Sequence, residues 1–147
     1  MTGFMTANEV ETYFLRDESE TEALGRQLAG KMDGSVLVFL QGELGAGKTT
    51  LVRGILRALG YDGAVKSPTY TLLEPYELAD RMVFHFDLYR IGDSEELDFI
   101  GMDELLDAPA IKLIEWPERA EDRLPRPDID IHFSFQAEGR RVEVSFN

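Results

Sequence analysis

Residues 35–50, SVLVFLQGELGAGKTT, decide the fold because an apolar run passes directly into a glycine-rich turn. The run Ser35–Gln41 has an uninterrupted apolar centre, which is typical of a strand buried on both faces. After the turn, five apolar residues recur at helical spacing: Leu51, Val52, Ile55, Leu56 and Leu59. Gly60 supplies the stop signal for this helix. The sequence therefore predicts a central buried strand, a loop and a helix, in that order.

The turn has the spacing of a phosphate-binding loop, since Gly42, Gly47, Lys48 and Thr49 fit the pattern G-x-x-x-x-G-K-[ST]. Glycine lets the backbone fold closely around an anion, and the following helix presents its positive end. We predict that Lys48 reaches the β- and γ-phosphates and that the Thr49 hydroxyl ligates Mg²⁺. The predicted nucleotide contacts are Gly42, Glu43, Leu44, Gly45, Ala46, Gly47, Lys48, Thr49 and Thr50. The alternative is a glycine-rich turn before an ordinary helix.

Asp87 is the first candidate for the acidic residue that completes a magnesium shell at the end of a neighbouring strand. Its strand is apolar, and a lone carboxylate there costs free energy unless a cation or hydrogen bonds meet it. The alternative is a salt bridge to Arg90. Glu115 is the second candidate, as an outer magnesium ligand or as the group that orients an attacking water. Its alternative is a solvated carboxylate, or one paired with Lys112 or Arg119.

Four other residues near these motifs have weaker assignments. Thr69, in the turn SPTY, is a candidate for approaching the γ-phosphate and magnesium like a switch residue. His85 shares a strand face with Asp87, and His132 lies among polar positions, so we expect both to be structural. Trp116 is expected to pack in the core and to serve as a fluorescent reporter.

The segment before the loop predicts a strand over Glu11–Asp17 and then a helix to about Met32. Ser19 and Glu22 form a capping-box pattern at the start of that helix. The region near Asp17 and Ser19 is our candidate for a wall of the site that holds the nucleotide base, adenine if the nucleotide is ATP.

After the loop, Ser67–Leu78 and Met82–Arg90 predict a hairpin. A capped helix over Leu97–Asp107, split at Gly101, and a buried strand over Ala110–Trp116 follow. Asp128–Phe135 and Arg141–Asn147 alternate apolar and polar residues and predict a closing hairpin. The 147 residues therefore predict a single α/β domain with a mixed parallel and antiparallel sheet flanked by helices.

The formal net charge is −13, from 28 acidic and 15 basic residues. Such a balance repels nucleic acid, which is bound through clustered Lys and Arg, so we expect DNA or RNA to be met only through a partner. The chain has no cysteine, no basic stretch with an apolar segment at its start and no membrane-length apolar run. We therefore expect a cytoplasmic protein without a membrane partner.

Two classes of nucleotide enzyme are disfavoured. Guanine is normally bound by an Asn-Lys-x-Asp segment, yet the asparagines are Asn8 and Asn147 alone. A small-molecule P-loop kinase needs an acceptor pocket and usually a basic lid, and RLPRP at residues 123–127 is short for that purpose. The kinase stays open as an alternative.

Four motifs together, GELGAGKTTLVRGIL, KSPTYTLLEPYE, FHFDLYR and LIEW, resemble the bacterial TsaE (YjeE) family over about residues 13–125. The family is the ATPase of tRNA threonylcarbamoyladenosine biosynthesis, which modifies the adenine next to the anticodon. The resemblance implies a P-loop NTPase fold that binds ATP, ADP and Mg²⁺. It also implies phosphate-loop roles for Lys48 and Thr49, a switch role for Thr69, a Walker B role for Asp87, and a place beside the nucleotide for Glu115 and Trp116.

The resemblance further implies that hydrolysis is slow in the isolated protein and rises in a complex with TsaB and TsaD. A rival from another class is a non-catalytic module that uses nucleotide only to become rigid and dock. Sequence alone leaves this choice open, because both would need the same phosphate loop.

Overall fold

The apolar run of residues 36–41 forms the middle strand of a seven-stranded sheet in the computed structural model, which describes residues 9–68 and 70–147. The strands are β1 (Glu9–Leu15), β2 (Val36–Gln41), β3 (Leu73–Glu77), β4 (Met82–Asp87), β5 (Ile111–Glu115), β6 (Ile129–Gln136) and β7 (Gly139–Phe146). Their spatial order is β1-β7-β6-β2-β5-β4-β3. The prediction of a central strand is confirmed.

The sheet is mixed, as predicted. Strands β4, β5, β2 and β6 run parallel, while β3 pairs antiparallel with β4 and β1 pairs antiparallel with β7. β6 and β7 form the predicted C-terminal hairpin. Because the parallel strands point the same way, their carboxyl ends meet at one edge, where β2 leads into the glycine-rich turn.

Helices cover both faces of the sheet. Helices α1 (Glu18–Ala29) and α2 (Lys48–Ala58) pack on the face that contains Val38 and Leu40. The other face, with Leu37, is covered by 3-10 helices over Ser94–Ile100 and Pro117–Arg123 and by α3 (Met102–Asp107). Gly101 separates the first 3-10 helix from α3 with φ 69°, which confirms the predicted split.

Glycines bring α1 and α2 into close backbone contact. A Cβ on Gly54 would lie 2.1 Å from the Glu22 carbonyl oxygen, and one on Gly25 would lie 2.3 Å from that of Leu51. No larger residue fits without moving a helix. This packing holds the start of α1 beside the start of α2.

Several predicted boundaries are wrong. Helix α1 is capped by Asp17, whose carboxylate accepts from the Glu20 amide at 3.0 Å, and the helix ends at Ala29 instead of Met32. The overlapping acidic pattern around Ser19 explains the two-residue error, because an aspartate caps as well as a serine does. The strand predicted from Ser67 begins only at Leu73.

A turn delays that strand. The Leu72 amide donates to the Pro68 carbonyl at 2.8 Å, and Leu72 has φ 68°, which a strand does not allow. Thr69 lies outside the described residues. None of the described helices is long and apolar enough to span a bilayer.

Candidate functional site

The loop between β2 and α2 contains three glycines with positive φ: Gly42 at 146°, Gly45 at 77° and Gly47 at 113°. Gly42 has a second constraint, because a Cβ there would lie 2.8 Å from the Cβ of Phe133 on β6. The loop is therefore built on residues that alone adopt these angles without strain. It ends at Gly47, where α2 begins with Lys48 and directs its first amides toward the loop.

Lys48 is buried, with 4% of its surface exposed. Its Nζ donates to the Gly42 carbonyl at 2.5 Å and lies 4.1 Å from the ring centroid of Trp116. Burial lowers the pKa of Lys48, and the nearby carboxylates of Glu115, Asp87 and Glu118 oppose that shift. The ammonium group is thus held beside the loop at a desolvation free-energy cost, which an anionic ligand would reduce.

The two predicted acids lie side by side. Asp87 and Glu115 are partners in the register of β4 and β5, and each is only 4% exposed. The Thr49 hydroxyl donates to Glu115 Oε2 at 3.3 Å, and the Tyr89 amide donates to Asp87 Oδ1 at 3.0 Å. The structure therefore brings the hydroxyl and both carboxylates to one place.

The salt-bridge alternatives for these acids are not what the structure shows. Arg90 donates to the Tyr70 hydroxyl at 3.2 Å and stacks on its ring. Lys112 projects from the opposite face of β5, and Arg119 lies over the ring of Trp116. Glu115 instead contacts His85, whose Nε2 is 2.7 Å from Oε2.

A cavity of about 310 Å³ lies over the start of α2 and contains these groups. Its lining includes Lys48, Thr49, Asp87, Glu115 and Ser67. A second cavity, of about 500 Å³, lies between the loop, the start of α1 and the β6–β7 turn. The two cavities share Glu18, Gly45, Gly47 and Thr50. Together they form one groove along the loop.

The sequence prediction for an adenine wall named Asp17 and Ser19. Asp17 lines the second cavity, whereas Ser19 lies in a separate shallow pocket with Glu22 and Arg26. Ser19 is exposed on α1 and does not line this groove, because the helix begins before this residue, and the adenine contacts stay a prediction.

Arg140 is a site residue that the sequence did not reveal. From β7 it donates to the carbonyls of Ala46 and Gly45 at 3.2 and 3.3 Å, and it lines the larger cavity. The contact spans 94 positions along the chain. No local pattern signals it.

The remaining aromatic and imidazole predictions concern positions around the groove. Trp116 has φ 59° and lies between the Lys48 ammonium and the ring of Tyr89, whose centroid is 4.9 Å away. His132 is exposed, and its Nε2 lies 3.3 Å from Asp130 Oδ1. His85 is fully buried.

The donors at the smaller cavity suit a magnesium ion that also binds a ligand. Among the described residues, no three His, Cys, Asp or Glu gather in an arrangement that could hold a metal alone. Thr49, Asp87 and Glu115 present only oxygen atoms there. Mg²⁺ prefers oxygen and is commonly held by one or two carboxylates together with substrate phosphates and water.

The buried strand, the glycine-rich loop, the helix that follows it and the neighbouring strand-end acids define a P-loop α/β protein. A sequence model of the family described as "Threonylcarbamoyl adenosine biosynthesis protein TsaE" matches residues 15–142. The chain belongs to the TsaE family.

Relatives agree with that placement, and a solved structure agrees with the fold. The "tRNA threonylcarbamoyladenosine biosynthesis protein TsaE" of Haemophilus influenzae is 41% identical over 138 residues, which cover 90% of this chain and 87% of that protein. The protein of the same name from Bacillus subtilis is 32% identical, covering 85% and 84%. The crystal structure of YdiB from Bacillus subtilis superposes with a TM-score of 0.81 at 24% identity, covering 97% of this chain and 88% of that one, and supports the fold.

Proposed function

We propose that this protein binds and hydrolyses ATP as a component of tRNA threonylcarbamoyladenosine biosynthesis, in partnership with TsaB and TsaD. The observation that carries the proposal is the single cavity lined by Lys48, Thr49, Asp87 and Glu115. These are the side-chain types that phosphoryl transfer needs: a cation, a metal-binding hydroxyl and two acids. Membership of the TsaE family indicates the biological process.

In this proposal the loop amides and Lys48 bind the phosphates, and ADP or ATP extends along the groove toward Asp17 and Arg140. Thr49 and Asp87 hold Mg²⁺, with Glu115 in its outer shell. When bound there, Mg²⁺ would supply positive charge beside the phosphate oxygens. Glu115 accepts a hydrogen bond from the attacking water and orients it. The role proposed for Thr69 rests on the family resemblance alone.

The net charge of the chain supports an action on tRNA through partner proteins. At −13 the protein repels the tRNA backbone, so it meets tRNA through the TsaB and TsaD proteins. Loss of the γ-phosphate removes a contact that would hold the segment around Thr69, and this links hydrolysis to the affinity for the partner complex.

The decisive experiment is tRNA modification over many turnovers in a reconstituted system. We expect Lys48→Ala and Asp87→Ala each to abolish it, and full activity of both variants would refute the mechanism. Glu115→Gln is expected to keep nucleotide binding and to reduce turnover. If its hydrolysis equals that of the unchanged protein, Glu115 has no catalytic role.

Phosphate release separates this function from its two alternatives. A module that only docks releases none, with or without TsaB, TsaD and tRNA. A small-molecule kinase transfers label from the γ-phosphate to a metabolite. An ATPase releases labelled phosphate, and we expect the partners to increase the rate.

A further inference from the structure

His85 is a fully buried imidazole whose environment is not that of an ordinary core residue. It lies on β4 two residues before Asp87, on the face of the sheet that α2 covers. Its Nε2 is 2.7 Å from Glu115 Oε2, and its Nδ1 has no hydrogen-bond partner among the described residues. An aromatic ring without polar atoms would fill the same volume at no such cost.

The surroundings of the two ring nitrogens favour one direction for the hydrogen bond. An ionised carboxylate only accepts, so the Nε2 of His85 carries the hydrogen and donates it to Glu115. The unpartnered Nδ1 is then a bare acceptor, because a hydrogen there would be a buried donor with nothing to bind. The structure thus favours the Nε2–H tautomer.

Glu115 Oε2 is held from two sides. His85 on β4 approaches it from the sheet, and Thr49 on α2 donates to the same oxygen at 3.3 Å. Both donors come from backbone elements that are buried and regular. With Oε2 occupied, Oε1 remains to accept another hydrogen bond.

We propose that His85 is a positioning residue that fixes the Glu115 carboxylate for ATP hydrolysis. It acts through Glu115 and touches neither nucleotide nor metal. A hydrogen bond from a residue that does not itself touch the substrate sets the orientation of a reacting carboxylate and keeps it in one rotamer. The inference rests on the proposed function of Glu115 and adds the residue that orients it.

The first test compares His85→Phe, which keeps the ring volume without a donor, with His85→Gln, which keeps an N–H group. We expect His85→Phe to lower kcat for ATP about 10- to 100-fold, as loss of orienting contacts commonly does, with little change in KM. His85→Gln should regain part of that loss. The exposed His132→Phe is the matched control and should change neither constant.

A double-mutant cycle separates positioning from packing. In a Glu115→Gln background, His85→Phe should lower kcat by no more than about twofold, because the group that it orients is already disabled. An equal loss in both backgrounds, or an unchanged kcat for His85→Phe alone, would overturn the proposal. Circular dichroism shows whether each variant is folded.

A measurement without ATP keeps the two proposals apart. The chain has two histidines, so ¹⁵N imidazole NMR of the unchanged protein, with His132→Phe for assignment, reports the His85 tautomer directly. We expect the Nε2–H form, and Glu115→Ala should shift its signals. An Nδ1–H form would overturn the positioning role even if the protein hydrolyses ATP. If no phosphate is released under any condition, the proposed function fails while this spectrum still decides how His85 binds Glu115.

Discussion

Lys48 and Lys112 are both buried, yet they lie at opposite ends of the central strands. Lys48 follows the carboxyl end of β2, whereas Lys112 lies near the amino end of β5 and is 2% exposed. Burial is the largest cause that lowers the pKa of each lysine. Judged by burial and pKa alone, the two residues are alike.

Their partners distinguish them. The Lys112 ammonium donates to the Ser35 hydroxyl at 2.7 Å and to the Ala108 carbonyl at 2.9 Å, and these contacts tie together the segments before β2 and β5. The Lys48 ammonium has one carbonyl acceptor and an aromatic face, and it borders a cavity. A perturbed pKa therefore marks a binding site only where the charged group also has room for a ligand.

The largest expected effect tests this difference directly. Lys48→Ala should weaken binding of MgADP about 10- to 100-fold, because charge-assisted hydrogen bonds to phosphate are lost. Lys112→Ala should change the affinity by less than about twofold. Calorimetry with both variants gives the two values. Equal affinity for Lys48→Ala and the unchanged protein would place the phosphates elsewhere.

The second test compares the two ends of β2 through glycines. Gly42→Ala combines a φ of 146° with a clash against Phe133, whereas Gly34→Ala has a φ of 69° and open space. We expect Gly42→Ala to lower the free energy of unfolding by at least about 2 kcal/mol and Gly34→Ala by about 1 kcal/mol.

Ligand binding should show the same contrast. A shifted loop no longer aims its amides at one point, so Gly42→Ala should bind MgADP about tenfold more weakly. Gly34→Ala should bind it normally. Chemical denaturation and calorimetry check the two parts, and similar affinities for both variants would mean that the loop tolerates a side chain at Gly42.

Local patterns predicted the part of the site that adjacent residues build. The run from β2 through the glycines to α2 has its own periodicity, and the apolar strands before Asp87 and Glu115 place both acids at the same edge of a parallel sheet. Their adjacent register follows once the strands are neighbours. The roles of these residues remain predictions.

Local sequence patterns could not predict contacts between distant segments. Arg140 reaches the loop from β7 because the C-terminal hairpin inserts between β1 and β2, an order that no spacing in the sequence specifies. The contact between His85 and Glu115 likewise depends on which strands become neighbours. The capping error at Asp17 has a different origin, since Asp17 and Ser19 lie two positions apart and both residue types are competent caps.

The smallest expected effect is a pH dependence that belongs to Lys48 and not to Lys112. Burial lowers the pKa of Lys48 in the free protein, while bound phosphate favours the charged ammonium and raises it again. Below both pKa values the lysine is protonated in either state and affinity is full. As the pH rises through the pKa of Lys48 in the unliganded protein, binding must take up a proton, so affinity should fall by at most about tenfold per pH unit.

Calorimetry of MgADP binding at rising pH, repeated in buffers of different ionisation enthalpy, should show this proton uptake in the unchanged protein and equally in Lys112→Met. Its persistence in Lys48→Met would assign the proton to another group and remove the functional distinction between the two lysines.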